Sequence, residues 1–168
     1  MPTHQIRHAQ ASDRPVLLAL WERSVRATHD FLAESDIDLY RPLVADMLAG
    51  DRIEWWIGVD EETAPVGFLG VSAHVIEALF VDPPHQRAGW GRRLIAHAQA
   101  LQPGPLTVDV NEQNVAARRF YAALGFQVAG RSERDDAGRP HPLLHLRRQA
   151  CGPDVAVRRA AGIFGASR

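Results

Sequence analysis

The stretch 85-HQRAGWGRRLI-95 sets two glycines one residue apart among three arginines, just ahead of an apolar run with helical spacing. A turn of this kind that opens a helix gathers main-chain N–H groups at the positive end of the helix dipole. The natural guest of such a cradle is an anion, a phosphate above all. Gly89 and Gly91 let the backbone approach a ligand with no Cβ in the way. Arg87, Arg92 and Arg93 add charge, and arginine grips phosphate through two parallel hydrogen bonds. All nineteen basic residues of the chain are arginine. Without lysine there is no Walker P-loop and no Schiff base. The dinucleotide pattern G-x-G-x-x-G/A fails as well, because Leu94 stands where glycine or alanine is required.

Three further residues have types suited to proton transfer. Glu77 lies in the apolar run 75-VIEALFV-81, where an unpaired carboxylate is expensive to bury. Strand alternation predicts its side chain on the face of Leu79 and Val81, as a base or as half of a structural salt bridge. His74 is a rival base whose odd offset predicts the opposite face. Tyr121 sits on an otherwise apolar helix face beside Phe120, which reads as packing. A phenol with a pKa near about 10 is protonated at neutral pH and can donate a proton. The single cysteine, Cys151, excludes an internal disulfide and a cysteine-rich metal site. No metal is expected.

These residues need elements to hold them. HQIRH at 4–8 reads as an edge or near-edge strand. Asp13 is a candidate N-cap, with Pro15 in the first turn of a helix running to about Ala27. After the link 28-THDFLA-33, Ser35 is the N-cap candidate of a second helix that Gly50 ends. Runs at 53–59, 66–72 and 75–81 read as an antiparallel meander, stopped by Pro83 and Pro84. A helix from about 89 to 101 follows, then a strand at 106–110. Asn114 caps a helix that Gly125 stops, and strands come near 126–131 and 143–148. In this scheme Trp55 and Trp56 face opposite sides of the sheet. The order β-αα-βββ-α-β-α-ββ predicts an α+β fold: a mixed, mostly antiparallel sheet with helices on both faces. One domain is expected over 1–149, with the tail 150–168 loosely packed or a short helix.

Net charge is −1, so no bulk field draws the chain to nucleic acid or anionic lipid. The N-terminus has no apolar signal region, and no apolar run approaches the roughly 18 residues a membrane span needs. A soluble, cytoplasmic protein is expected, with no nucleic-acid and no membrane partner.

The run 86-QRAGWG-91, preceded by 79-LFVDP-83 and followed by 114-NVAARRFYAALGF-126, resembles the GNAT superfamily of acyl-CoA-dependent N-acetyltransferases. The phrases 28-THDFL-32, 107-TVDVNEQN-114 and 130-GRSERDDAGRPHPLLHL-146 look like a subgroup of small bacterial GNAT enzymes. The resemblance covers residues 4 to 149 in element order. It implies that the loop of Arg87, Ala88, Gly89, Trp90, Gly91 and Arg92 holds the pyrophosphate of acetyl-CoA. It further implies that Leu79, Phe80 and Val81, at a strand end that splays from its neighbour, bind the pantetheine arm, and that Tyr121 is the general acid for the departing thiolate. Asn114 would also bind the cofactor. His29 and Asp30 would wall the acceptor site and are the other candidates for the base. Asn111 would meet the acceptor, order water or only make the turn, and Glu77 would take the amine's proton, directly or through water. The function implied is transfer of acetyl from acetyl-CoA to a primary amine, on a small molecule or a protein, by direct attack in a ternary complex. A non-catalytic acyl-CoA sensor is the alternative. The resemblance implies a monomer or a homodimer.

Overall fold

The computed structural model describes residues 5–149; the expectations for the tail 150–168 lie outside the described residues. In chain order the elements are β1 (Gln5–His8), α1 (Arg14–Thr28), α2 (Glu34–Ala49), β2 (Glu54–Val59), β3 (Pro65–Ser72), β4 (Val75–Val81), α3 (Trp90–Leu101), β5 (Leu106–Asn111), α4 (Val115–Ala123), β6 (Gln127–Ser132) and β7 (Leu143–Arg148). Every strand and helix expected from the pattern is present, with shifts of a residue or so at the ends.

Two caps differ from expectation. Asp13 makes no cap bond: its carboxylate takes two hydrogen bonds from Arg7, at 2.8 and 2.9 Å, and one from the N–H of Gln10 at 2.7 Å. A guanidinium on β1 outcompetes the main-chain donors of α1. The second helix is capped two residues earlier than Ser35, with Ala33 as N-cap and its N–H donating to Asp36 Oδ2 at 3.0 Å. The reciprocal half of a capping box survives although alanine supplies no side-chain oxygen. Asn114 does cap α4, accepting from the N–H of Ala117 at 3.1 Å. Gly125 takes the left-handed conformation, φ 87°, that stops α4.

The seven strands form one sheet in the order β1-β2-β3-β4-β5-β7-β6. All neighbours are antiparallel except β4 and β5, which are parallel. Alternation sorts the side chains into two cores. Leu17, Trp21, Ile37, Tyr40 and Val44 of α1 and α2 meet Trp55, Phe68 and Phe80. Leu94, Ile95, Phe120 and Tyr121 of α3 and α4 meet Leu69, Leu79, Val81, Val108 and Val110, with Trp56 packed against that second core. The two tryptophans therefore face opposite sides, as expected. Burial of each such large side chain contributes about 1.5–3 kcal/mol.

The parallel pair is short. Only Val75↔Thr107 and Ile76↔Val108 are in register, and beyond them β4 and β5 part. The cause lies on the other edge of β4. Gly70 pairs with Ala78 and Val71 with Ile76, which leaves Glu77 as an extra residue, a bulge that bends β4.

Candidate active site

The parting has an apex and a rim. Glu77 stands at the apex, the first residue of β4 past the last shared rung. Its bulge breaks the alternation used to place it: Ile76 and Leu79 both enter the α3/α4 core, while Ala78 enters the α1/α2 core. The Ser72 hydroxyl donates to Glu77 Oε1, and Ser72 follows Val71, which belongs to the α3/α4 core. Glu77 thus shares the opposite, α1/α2 face with Ser72, a correction to its expected companionship with Leu79 and Val81. Burial pushes its carboxyl above the usual range, aided by the charges of Asp109 and Asp136 and opposed by the Ser72 hydrogen bond and by Arg52. A carboxylate so tuned holds a proton more readily than an exposed one. His74 lies at the closed end instead: its carbonyl accepts from Thr107 N–H at 2.9 Å and its ring faces Gly104.

On the other side of the sheet, Tyr121 is fully buried between Phe120 and Phe126, ring centroids 5.0 and 5.2 Å away. Its hydroxyl has no hydrogen-bond partner among the described residues. Burial pushes the phenol well above its ordinary value, so it keeps its proton and has a hydrogen to donate. A buried hydroxyl without a partner costs about 1–3 kcal/mol. A ligand atom that accepts from it would recover that cost.

At the open end of β4 the chain makes a 3-10 turn, Pro83–His85, and then the glycine loop. The Gln86 amide donates to the Val81 carbonyl at 3.1 Å and folds the loop onto the strand end. Arg87 and Gly89 both have positive φ, 65° and 85°, a backbone curl that turns successive N–H groups into one concavity. The first bond inside α3 runs from Arg93 N–H to the Gly89 carbonyl at 3.1 Å, so the N–H groups of the opening turn point out of the helix end. The cleft there is lined by Val81, Gln86, Arg87, Gly89, Gly91 and Arg92, and from α4 by Arg119 and Phe120. Arg119 went unremarked in the sequence because 118-RR-119 reads as a solvated helix face. Anion chemistry fits this lining, and a diphosphate fits its arginines.

The two glycines serve different ends. A Cβ on Gly89 would meet nothing within 4 Å, so the left-handed backbone is what requires glycine there. A Cβ on Gly91 would lie 2.9 Å from Phe120 Cζ, so that position secures the approach of α3 to α4. The Trp90 indole is buried against Gly58, where a Cβ would sit 2.6 Å from the ring. Trp90 therefore anchors the helix start to the sheet, and only its main chain faces the loop. Leu79, Phe80 and Val81 likewise bury their side chains and offer main chain along the parting.

The expected acceptor residues lie on the α1/α2 side. His29 is buried, its Nδ1 2.8 Å from the Thr28 hydroxyl and its ring 5.3 Å from Phe31, whereas Asp30 is exposed. Asn111 is buried at the end of β5, with its carbonyl accepting from Asn114 N–H at 3.0 Å. The strand alternation that sends Val108 and Val110 into the α3/α4 core puts Asn111 and Asp109 on the α1/α2 face. A polar cluster absent from the expectations closes this side. Buried Asp36 takes hydrogen bonds from Arg139 Nε at 2.6 Å and from His141 Nε2 at 3.1 Å, and the Tyr40 hydroxyl donates to Asp135. It ties the β6–β7 connection to the start of α2 and packs His141 near Phe31, 5.7 Å between rings.

The family description "Acetyltransferase (GNAT) domain" matches residues 51–128. Over 141 residues the chain is 44% identical to the peptidyl-lysine N-acetyltransferase YjaB of Salmonella typhimurium, covering 84% of this chain and 95% of that protein. The chain belongs to the GNAT acetyltransferases. The solution structure of apo YjaB from Escherichia coli superposes with a TM-score of 0.79 at 41% identity, over 88% of this chain and 98% of the other. An N-acetyltransferase, PaiA of Thermoplasma acidophilum, solved with coenzyme A, shares the fold at a TM-score of 0.69 and 16% identity, over 88% and 99% of the two chains. As a GNAT enzyme the chain transfers acetyl to an amine, and nothing in these likenesses favours a non-catalytic sensor. Among the described residues no helix is long and apolar enough to cross a membrane.

Proposed function

We propose that this GNAT enzyme acetylates lysine side chains of peptides or proteins, with acetyl-CoA as donor, in a ternary complex with no covalent intermediate. The observation that carries the reading is the parted strand pair with a half-buried carboxylate at its apex on one face and a partnerless phenol on the other. The lysine acceptor is taken from the relatives at 44% identity.

In this reading the diphosphate lies in the concavity of Arg87, Ala88, Gly89, Trp90, Gly91 and Arg92, held by main-chain N–H groups and by arginines including Arg119. The pantetheine arm runs along the open edge of β4 at Leu79, Phe80 and Val81, with Asn114 across the parting. Glu77 takes a proton from the acceptor ammonium, directly or through water. The amine attacks the thioester carbon, the C–S bond breaks, Tyr121 gives its proton to the leaving thiolate, and the second proton shed by the nitrogen restores the phenol. An N–H of the open β4 edge holds the developing oxyanion, a contribution worth roughly 10²–10³ in rate in other enzymes. His29, Asp30 and Asn111 border the acceptor, and the enzyme works in the cytoplasm. Acetyl-CoA incubated with lysine peptides, free amino acids, polyamines and aminoglycosides, followed by thiol release, tests the acceptor. Turnover is expected with the peptides; turnover confined to small amines would overturn the lysine assignment.

A further inference from the structure

Acetylation of an ammonium releases one proton net. The nitrogen loses two, one ends on the thiolate sulfur, and one must leave the site. Glu77 receives that proton in the reading above, so whatever governs its proton affinity governs the reaction.

The register of the sheet shows what faces it. Ile76↔Val108 is the last rung joining β4 to β5, so Glu77 and Asp109 are the first residues past it on the two parting strands. Both side chains lie on the α1/α2 face. Asp109 is not left to find its own orientation. Its Oδ1 lies 2.6 Å from His145 Nδ1 on β7, directly opposite in register, and His145 Nε2 lies 2.8 Å from the Ser132 hydroxyl on β6. With Ser132 donating to Nε2, the imidazole carries its hydrogen on Nδ1 and donates it to Asp109. Among the described residues His145 is the one hydrogen-bond partner of the Asp109 side chain. Three strands thus contribute one side chain each to aim one carboxylate.

We propose that Asp109 is the second carboxylate of the parting, a positioning residue that keeps Glu77 able to accept the amine's proton, and that His145 and Ser132 hold it there. The proposal rests on the reading of Glu77 as the base. The same three residues have the order of a hydrolytic triad, but Ser132 belongs to β6, separated from β5 by β7. At about 4.8 Å per strand its hydroxyl is roughly 10 Å out from β5, too far to attack a thioester in the parting. The chain of hydrogen bonds therefore serves the carboxylate and not the serine. Other charges act on Glu77 as well, Arg52 before β2 and Asp136 in the β6–β7 connection. Arg147, two residues along β7 from His145, shares the face of Asp109.

The titration of the Glu77 carboxyl carbon, followed by carbon-13 NMR in the full-length protein, reads the effect without turnover. Asp109→Asn is expected to lower the midpoint by roughly half to one pH unit, and His145→Leu to move it in the same direction through loss of the aim on Asp109. His145→Gln, which keeps a donor, is expected to leave it in place. In the acetylation assay the acid limb for Asp109→Asn follows the midpoint down, and the plateau falls a few-fold because the base is weaker. A midpoint unmoved in both Asp109→Asn and His145→Leu would overturn the proposal, and either variant alone decides if the other does not fold. If the midpoint shifts while the parent acetylates small amines and no lysine peptide, the arrangement stands and the lysine reading falls.

Discussion

A Cβ placed on Gly91 would stand 2.9 Å from Cζ of Phe120, which makes this the point where the helix of the phosphate loop touches the helix of Tyr121. Cradle and phenol are thereby locked to each other. Gly91→Ala is expected to force α3 and α4 apart at a cost of about 1–3 kcal/mol and to raise the Michaelis constant for acetyl-CoA several-fold. Gly89→Ala meets no neighbour and should cost only the backbone strain of a left-handed residue, about 1 kcal/mol. Thermal unfolding and acetyl-CoA titration of the two variants, side by side, check the order.

The Tyr121 hydroxyl contributes nothing to the fold as it stands, since it is buried without a partner. Tyr121→Phe is expected to leave stability unchanged or raised by up to about 1–2 kcal/mol. Turnover should fall by roughly 10²–10⁴ with acetyl-CoA affinity within a few-fold of the parent. A loss of stability parallel to the loss of activity would show instead that the phenol is structural.

Glu77→Gln removes the base while the Ser72 hydroxyl keeps an acceptor. Because burial raises the Glu77 carboxyl above the ordinary value, the parent's kcat/KM should fall away on the acid side at a pH above the usual carboxylate range near about 4.3. That limb should vanish in the variant along with most of the rate. A pH–rate profile with the same limb in both proteins would remove Glu77 from the reaction.

Asp36 carries a testable stability term. Burial works against its charge, but the Ala33 N–H, Arg139 and His141 together hold its carboxyl below the usual range. A depressed carboxyl stabilises the fold fully above its unfolded value, about 3.9, and that stability is lost as pH falls through the lower folded value. Asp36→Asn is therefore expected to cost about 2–3 kcal/mol at pH 7, less than a fully buried pair because the Arg139 side chain is 39% exposed. The gap to the parent should narrow below about pH 4, as denaturant unfolding at several pH values would show.

Much of this was legible in the residues. The glycine loop, the Asn114 cap, the αL stop at Gly125 and the opposed tryptophans all follow from local rules that tertiary contacts left intact. Glu77 stands out by type but its face does not follow from alternation, because a bulge is a property of two paired strands and leaves no mark in the alternation of one. Asp13 and Ser35 failed as caps for a related reason: Arg7 claims one carboxylate, and Asp36 bonds back to the Ala33 N–H ahead of Ser35. Arg119, Asp109–His145 and the Asp36–Arg139–His141 cluster join residues distant in sequence. Nothing in the spacing of polar residues along one strand or helix face announces such partners.

The central claim is that the main chain of the glycine loop grips the diphosphate and brings a thioester into the parted strands. Amide NMR of the uniformly nitrogen-15-labelled protein titrated with acetyl-CoA measures this most directly. The account predicts that the largest shifts fall on Arg87, Gly89, Gly91 and Arg92, with a second group along Leu79, Phe80 and Val81. Saturable binding that leaves these amides unmoved, or no binding by the folded protein, would contradict it.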